Sequence, residues 1–366
     1  MSVTAKFKRR AVRDSSSAAN PEASAINPRT KACANSLVTG AAGFIGSHVS
    51  AELVRLGHRV VGLDDLSGGF VQNIPAGVRL VKGSINDTVL IPALFAKHRF
   101  EYVFHLAAYA TEGLSHFIRM FNYRTNLMGS INLINASINA GTVQCFVFAS
   151  SVAVYGKLPT PMTEALAPCP ADPYGVAKYA VELDLAAARE VFGMESIIFR
   201  LHNVYGPRQN ASDKYRNVIG IFMKQIMEGR PLSVFGDGSQ IRAFTDISDV
   251  APVIAASVGR RAAYNQVFNL GSDERTSVLD LAGIISRVMG VAPRIEHLPA
   301  RHEVLDAYCR HDKARAYFGD LIQDVQLEAG LSQMAEWIKQ TEMRRTEQFR
   351  SIEIGKEMPA CWLCPD

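Results

Sequence analysis

An α/β fold, a Rossmann-type doubly wound parallel sheet with a smaller C-terminal substrate-binding lobe, is what this sequence predicts, and three observations carry the prediction. From Ser36 onwards, short β-branched or apolar runs alternate with amphipathic helical runs, the pattern of a parallel sheet covered by helices on both faces. The first strand turns into the first helix through Thr39-Gly40-Ala41-Ala42-Gly43-Phe44-Ile45-Gly46, where glycines let the backbone turn tightly and come close to an anion. Far downstream, Asp172-Pro173-Tyr174-Gly175-Val176-Ala177-Lys178-Tyr179 sets a phenol and an ammonium four residues apart on one helical face.

In order along the chain, residues 36–38 form the first strand, which enters a helix over about 43–56, and residues 59–63 form the second strand. Further strands are expected at 78–81, 102–106, 145–150 and 196–200, with helices between them. The ligand of such a sheet belongs at the carboxyl ends of its strands. After Arg200 the alternation loosens, and 203–238 reads as rich in loops. Beyond it come a helix near 249–258, a strand near 267–270, and helices near 277–288 and 327–341. The domain plan is a dinucleotide-binding domain over 35–202 with returns near 240–275, and a substrate-binding lobe from 203–239 and 276–345. A basic, disordered extension over 1–34 and a tail over 346–366 flank these parts.

Charge and composition narrow the function. Residues 1–34 carry Lys6, Lys8, Arg9, Arg10, Arg13, Arg29 and Lys31 against Asp14 and Glu22, a net +5 in a chain whose total is +4. The body is therefore close to −1 and lacks the basic stripe of a nucleic-acid-binding protein. The extension is poor in large apolar residues, as a disordered segment is, and its Arg- and Ser-rich makeup also fits an organelle-targeting peptide. No apolar run nears the roughly 20 residues that span a bilayer, so a cytoplasmic protein with no membrane partner is expected. Six scattered cysteines suit free thiols better than a disulfide framework. Cys361-Trp362-Leu363-Cys364 has metal-ligand spacing but no second Cys/His pair, which makes a frayed tail the simpler reading and leaves no metal expected.

The chemistry follows from the two motifs. Gly40, Gly43 and Gly46 open a helix N-terminus to a pyrophosphate. Asp64, 18 residues past Gly46 and at the end of the second strand, can bond both ribose hydroxyls and repels a 2′-phosphate, so NAD is expected rather than NADP. Lys178 would lower the pKa of Tyr174 and make it a general base. Ser151, in Phe148-Ala149-Ser150-Ser151-Val152-Ala153-Val154-Tyr155-Gly156 at a strand end, can share a proton with a substrate oxygen.

With these motifs in this order from about Ser36 to Asp320, the chain resembles the extended short-chain dehydrogenase/reductase family and, within it, the nucleotide-sugar epimerases. The resemblance implies a catalytic trio of Ser151, Tyr174 and Lys178. The implied cofactor side is Gly40, Gly43, Phe44, Ile45, Gly46, Asp64, Ser84, Ile85, Ala107 and Asn126, joined by Tyr174 and Lys178. The implied substrate side is Ser151 with Asn203, Asn217, Phe235, Arg242, Arg301 and Tyr308: Phe235 packs on the base, Arg242 bonds a phosphate, and Tyr308 narrows the pocket against N-acetylated sugars. His105 falls in the strand motif beside the cofactor, where a structural role is expected.

Dehydratases of the family carry Asp-Glu where this chain has Val152-Ala153, and decarboxylases carry a glutamate at the second of these positions. Without those acids the site suits oxidation and re-reduction at one carbon, and C4 epimerisation of a UDP-sugar, UDP-glucose and UDP-galactose first, is the expected reaction. A net nucleotide-sugar oxidoreductase or decarboxylase and a non-catalytic NAD- or sugar-nucleotide-binding protein are the alternatives. Two segments depart from the family pattern, Ser84 where an aspartate is common and Tyr109-Ala110-Thr111-Glu112-Gly113-Leu114 near the sugar. A homodimer is the family's usual assembly.

Overall fold

The computed structural model describes residues 33–213, 215–301, 303–341, 352–359 and 362. Among them the strands are β1 (Asn35–Thr39), β2 (Arg59–Asp64), β3 (Val78–Lys82), β4 (Tyr102–His105), β5 (Cys145–Ser151), β6 (Ser196–Leu201), β7 (Asn203–Tyr205), β8 (Leu232–Phe235), β9 (Ile241–Asp246), β10 (Gln266–Leu270), β11 (Arg275–Ser277), β12 (Ile295–Leu298) and β13 (Asp306–Ala307). The helices are α1 (Phe44–Arg55), α2 (Leu90–His98), α3 (Glu112–Ser115), α4 (Arg119–Tyr123), α5 (Gly129–Ala140), α6 (Pro173–Phe192), α7 (Val218–Met227), α8 (Ala251–Ala256), α9 (Val278–Met289), α10 (Asp312–Phe318) and α11 (Leu327–Gln340). None of the described helices is long and apolar enough to cross a membrane.

Seven strands build one parallel sheet in the order β10-β6-β5-β4-β1-β2-β3. Every residue of β5 and β6 is buried, as central strands covered on both faces must be. Successive side chains alternate between two cores: Val38, Phe104, Val147 and Phe199 pack with α1 and α8, while Leu37, Val103, Phe146 and Phe148 pack with α2, α5 and α6. The order reverses between β1 and β4, whose ends meet at the Thr39–His105 pair, and a crevice outside the carboxyl ends is the consequence.

The lobe has its own core, in which Ile219, Phe222, Leu232, Leu281, Ile285, Leu331 and Met334 join α7, α9, α11 and β8. β9 pairs with β7, β11 and β13, and β8 pairs with β12. From the 240–275 stretch, α8 and β10 return to the main sheet, whereas β9 is the central strand of the small one. The expected loop over 203–238 is corrected: it contains β7, α7 and β8. Its helix, Val-Ile-Gly-Ile-Phe-Met-Lys-Gln-Ile-Met, buries Ile219, Phe222 and Met223 in the lobe core and spans only ten residues between loops. The tail is corrected as well. Residues 352–359 and Trp362 pack onto the body, with Met358 and Trp362 buried. Cys361 and Cys364, like residues 1–32 of the basic extension, lie outside the described residues.

Candidate active site

Sheet ends, lobe and tail enclose a cavity of about 1140 Å³, above the usual range for a single small ligand and roomy enough for a dinucleotide beside a second nucleotide. At its dinucleotide end, Gly40 takes φ +71° and its N–H donates to Leu63 O at 2.8 Å. A Cβ at Gly40 would stand 2.9 Å from the Ala107 backbone, and one at Gly46 would stand 2.0 Å from Gly40 O, so only glycine fits either place. α1 starts without a side-chain cap, which leaves its first-turn N–H groups, at Phe44, Ile45 and Gly46 on the cavity wall, for an anion. Asp64 lies on the same wall, its Oδ2 accepting from Ala42 N at 2.9 Å and its Oδ1 from Leu66 N at 2.8 Å. Burial raises its pKa, and those N–H bonds pull the other way. Ser84, Ile85 and Ala107 complete this end, the Ser84 hydroxyl accepting from Asn86 N.

His105 is structural, as expected. Its Nδ1 meets Thr39 Oγ1 and its Nε2 meets Ser130 Oγ, each at 2.8 Å, and burial depresses its pKa to about 3, so the ring stays neutral. Asn126 sits in a π-helical turn behind the wall instead of on it. Its Oδ1 accepts from Tyr109 N and its Nδ2 donates to Tyr109 O and to Asn122 Oδ1. Asn122 in turn donates to Pro173 O at 2.8 Å, so the two asparagines tie the Tyr109 segment to the start of α6.

The trio lies together on the cavity wall. Ser151 follows from the end of β5, its Oγ accepting from Ala153 N at 3.1 Å. Asp172 caps α6 through Oδ1 and Gly175 N at 2.9 Å, and Pro173 opens the helix, which sets Tyr174 in its first turn and Lys178 one turn on. Lys178 Nζ donates to Ala149 O at 2.7 Å and stands 5.8 Å from the Tyr174 ring centroid. Burial lowers the lysine to about 7, with Glu182 opposing. The expected acidification of Tyr174 by Lys178 is reversed in this geometry. Burial and then the Glu112 charge raise the phenol, Asp172 adds to this, and only the Ser151 hydroxyl lowers it. A buried ammonium that gives up its charge so readily, and whose ring-centroid distance to Tyr174 is 5.8 Å, does little to stabilise the phenolate.

Two acids near the trio were not assigned a role from sequence. Glu112, delivered by α3, is accessible only because it faces the cavity; protein surrounds it, burial raises its pKa, and Arg242 and Arg301 oppose the rise. Asp172 is raised from 3.8 to about 7, first by burial and then by Glu112. An acid before proline at a helix start was the available signal for Asp172. Glu112 had none beyond the unusual segment around it.

At the substrate end, Asn203, Asn217, Phe235, Arg242 and Arg301 all reach the wall. Asn217 caps α7 through Ile219 N at 3.1 Å and donates to Val204 O at 3.0 Å. Arg242 differs from the free fork expected: Ile241, Leu305 and Val304 carbonyls take its N–H groups at 2.9, 2.8 and 2.7 Å, and Glu303 pairs with it at 3.3 Å. Phe235 carries the Arg301 guanidinium on its ring at 4.3 Å, where a base was expected. Tyr308 is off the cavity wall altogether; it lies against Arg275, with its hydroxyl 3.3 Å from Nη1, and cannot narrow the pocket. Arg216 was missed, and it reaches the wall while pairing with Asp213 at 2.6 Å and lying over the Tyr109 ring at 4.8 Å.

A glycine turn at a sheet switch point, an acid at the end of β2 and a Ser-Tyr-Lys trio in one cavity define a dinucleotide-dependent oxidoreductase-type site. The chain belongs to the NAD dependent epimerase/dehydratase family, whose profile matches residues 36–271. NAD is the cofactor, and the open helix start and Asp64 fit it. A UDP-glucose 4-epimerase of Mycolicibacterium smegmatis is 35% identical over 271 residues, 72% of this chain and 86% of its own length. UDP-glucuronate 4-epimerase 3 of Arabidopsis thaliana is 31% identical over 342 residues, 84% of this chain and 77% of its own. The crystal structure of a UDP-glucose 4-epimerase from Thermotoga maritima, with UDP-glucose, superposes with a TM-score of 0.80 at 34% identity, over 84% of this chain and 99% of that one.

Proposed function

We propose that this protein inverts C4 of a nucleotide sugar, with UDP-glucose and UDP-galactose as its substrate pair, by reversible oxidation through a 4-keto sugar. One observation carries the reading: Ser151, Tyr174 and Lys178 share a cavity with the glycine turn, while Val152 and Ala153 supply no acid for elimination. Held by the Gly40–Gly46 turn and Asp64, NAD would supply a reversible acceptor for the C4 hydride. Tyr174 takes the O4 proton and gives it back, Ser151 holds the same oxygen, and Lys178 is the side chain that bonds the nicotinamide ribose. Asn203 and Arg301 hold the diphosphate end, while Arg242 and Asn217, bonded within the lobe, shape the wall beside them. Relatives act on UDP-glucose and on UDP-glucuronate, and the UDP-glucose 4-epimerases at 35% and 34% identity favour the neutral hexose pair here. Glu112 lines the cavity near the trio and raises Tyr174. With Tyr308 off the wall, nothing at that position argues against N-acetylated sugars. Exposed Leu183, Val191 and Phe192 on α6 support a homodimer through this helix.

Purified protein given UDP-galactose and no added cofactor is expected to form UDP-glucose, and to convert UDP-glucuronate more slowly in a parallel reaction. Absence of UDP-glucose among the separated products sinks the reading. Tyr174→Phe should keep its NAD and lose about a hundredfold or more in turnover, the scale of a lost general base.

A further inference from the structure

The C-terminal segment is built into the substrate end of the cavity. Glu353 anchors it, accepting from Met120 N at 2.7 Å and Phe121 N at 2.8 Å, so a distant carboxylate satisfies the open first turn of α4. The Glu353 and Ile354 N–H groups donate to Phe117 O at 2.9 and 3.1 Å. Past this anchor, Met358 and Trp362 bury against Leu114 and Ile118. The Trp362 indole is 7% exposed and meets Tyr215 and Phe117 edge to face at 5.6 and 6.1 Å. It closes over Gly113, where a Cβ would stand 3.1 Å from the ring, beside Glu112. The same indole lines the cavity and lies 5.8 Å from the Arg301 guanidinium, which also lies 4.3 Å from the Phe235 ring and pairs with Glu303 at 3.3 Å.

We propose that Trp362 is a positioning residue for the nucleotide-sugar diphosphate: it walls the substrate end over Gly113 and holds Arg301 against Phe235, with Glu353 as the anchor of the segment that carries it. The inference rests on reading this cavity as a nucleotide-sugar site. An arginine on an open rim loses much side-chain entropy when it binds an anion; two aromatic neighbours remove that freedom beforehand, and their π faces favour the cation. The cost of losing the indole therefore falls on binding and leaves the chemical step, whose proton passes through Tyr174, almost untouched.

The test uses the full chain and UDP as the ligand. Trp362→Ala should raise the Kd for UDP and the KM for UDP-galactose about tenfold, with kcat within about twofold and NAD content unchanged. Trp362→Phe should recover most of the affinity, since an aromatic face remains. The chain has two tryptophans, and the other, Trp337, lies on α11 away from the cavity. In Trp337→Phe, the fluorescence of intact Trp362 should change on adding UDP, a readout that stands even if Trp362→Ala does not fold. A Trp362→Ala protein that binds UDP as the wild type does, or a Trp337→Phe protein whose emission ignores saturating UDP, overturns the proposal while leaving the epimerase reading intact. A wild type that binds no UDP overturns both.

Discussion

Tyr174 is set among charges that oppose its becoming a base, and the sharpest consequence concerns Asp172. This carboxyl is raised to about 7 by burial first and by Glu112 second, so the folded chain keeps its proton where the unfolded chain has lost it. The sign follows: the stability it contributes is complete below its ordinary 3.8 and is lost as pH rises through about 7. Once ionised, Asp172 pushes the Tyr174 phenol further up. Asp172→Asn keeps an oxygen to accept from Gly175 N–H but carries no charge. We expect its kcat/KM profile to have an acid limb at lower pH than the wild type, and its thermal stability to fall less between pH 4 and 7. An acid limb that stays in place would remove Asp172 from the groups that set the tyrosine's proton affinity. At this scale the sequence was legible where the cavity wall is built from short local motifs, as at Gly40–Gly46, Asp64, Ser151, Tyr174 and Lys178. It was opaque where side chains meet from distant segments, as Glu112 does with Asp172, and as Arg301 does with Phe235 in place of a base.

α6 delivers the tyrosine and lysine, and its position is held from below by a buried ionic network. Arg200 on β6 bonds Glu182 on α6 twice, Nη2 to Oε2 at 2.6 Å and Nε to Oε1 at 3.1 Å. Ser150 Oγ donates to the same carboxylate, and Arg200 Nη1 donates to Tyr155 OH, which donates to Asn269 Oδ1 on β10 at 2.8 Å. Both charged side chains are only 5% exposed. Removing one partner strands the other in a low-dielectric interior, so Glu182→Gln should cost about 3 kcal/mol of stability, measured by denaturant unfolding with NAD saturating. A loss well under 1 kcal/mol would mean that water reaches the guanidinium. The strands of this network were expected from their β-branched and apolar runs, and the long helix from the Tyr174–Lys178 spacing in a helix-compatible run. α7 was not: it is short, it lies in a stretch read as loops, and its burial comes from α9 and β8, elements far along the chain.

For the molecule as a whole, the question is what holds the lobe in register with the sheet, because the cavity needs both. One set of contacts lies at the glycine turn. His48 Nε2 meets Pro207 O at 2.9 Å, Arg208 Nη1 donates to Ser47 O at 3.2 Å, and Asn73 Nδ2 donates both to Ala42 O at 3.1 Å and to Arg208 O at 3.3 Å. Asn73 thus bonds the dinucleotide turn and the lobe's first loop with one amide, while 8% exposed. Its removal takes a donor from Arg208 O and leaves Ala42 O with the Phe70 N–H, at roughly 1–3 kcal/mol in all if water cannot replace it. Asn73→Ala is therefore expected to loosen the turn and the lobe together: the purified variant should carry less NAD, and its KM for UDP-galactose should rise although Asn73 stands at the dinucleotide end. Cofactor content by absorbance and steady-state kinetics with saturating NAD separate the two effects. If saturating NAD restores the wild-type KM, Asn73 serves the turn alone; if KM stays high, the same amide also sets the lobe, and sheet and lobe respond to ligands as one unit.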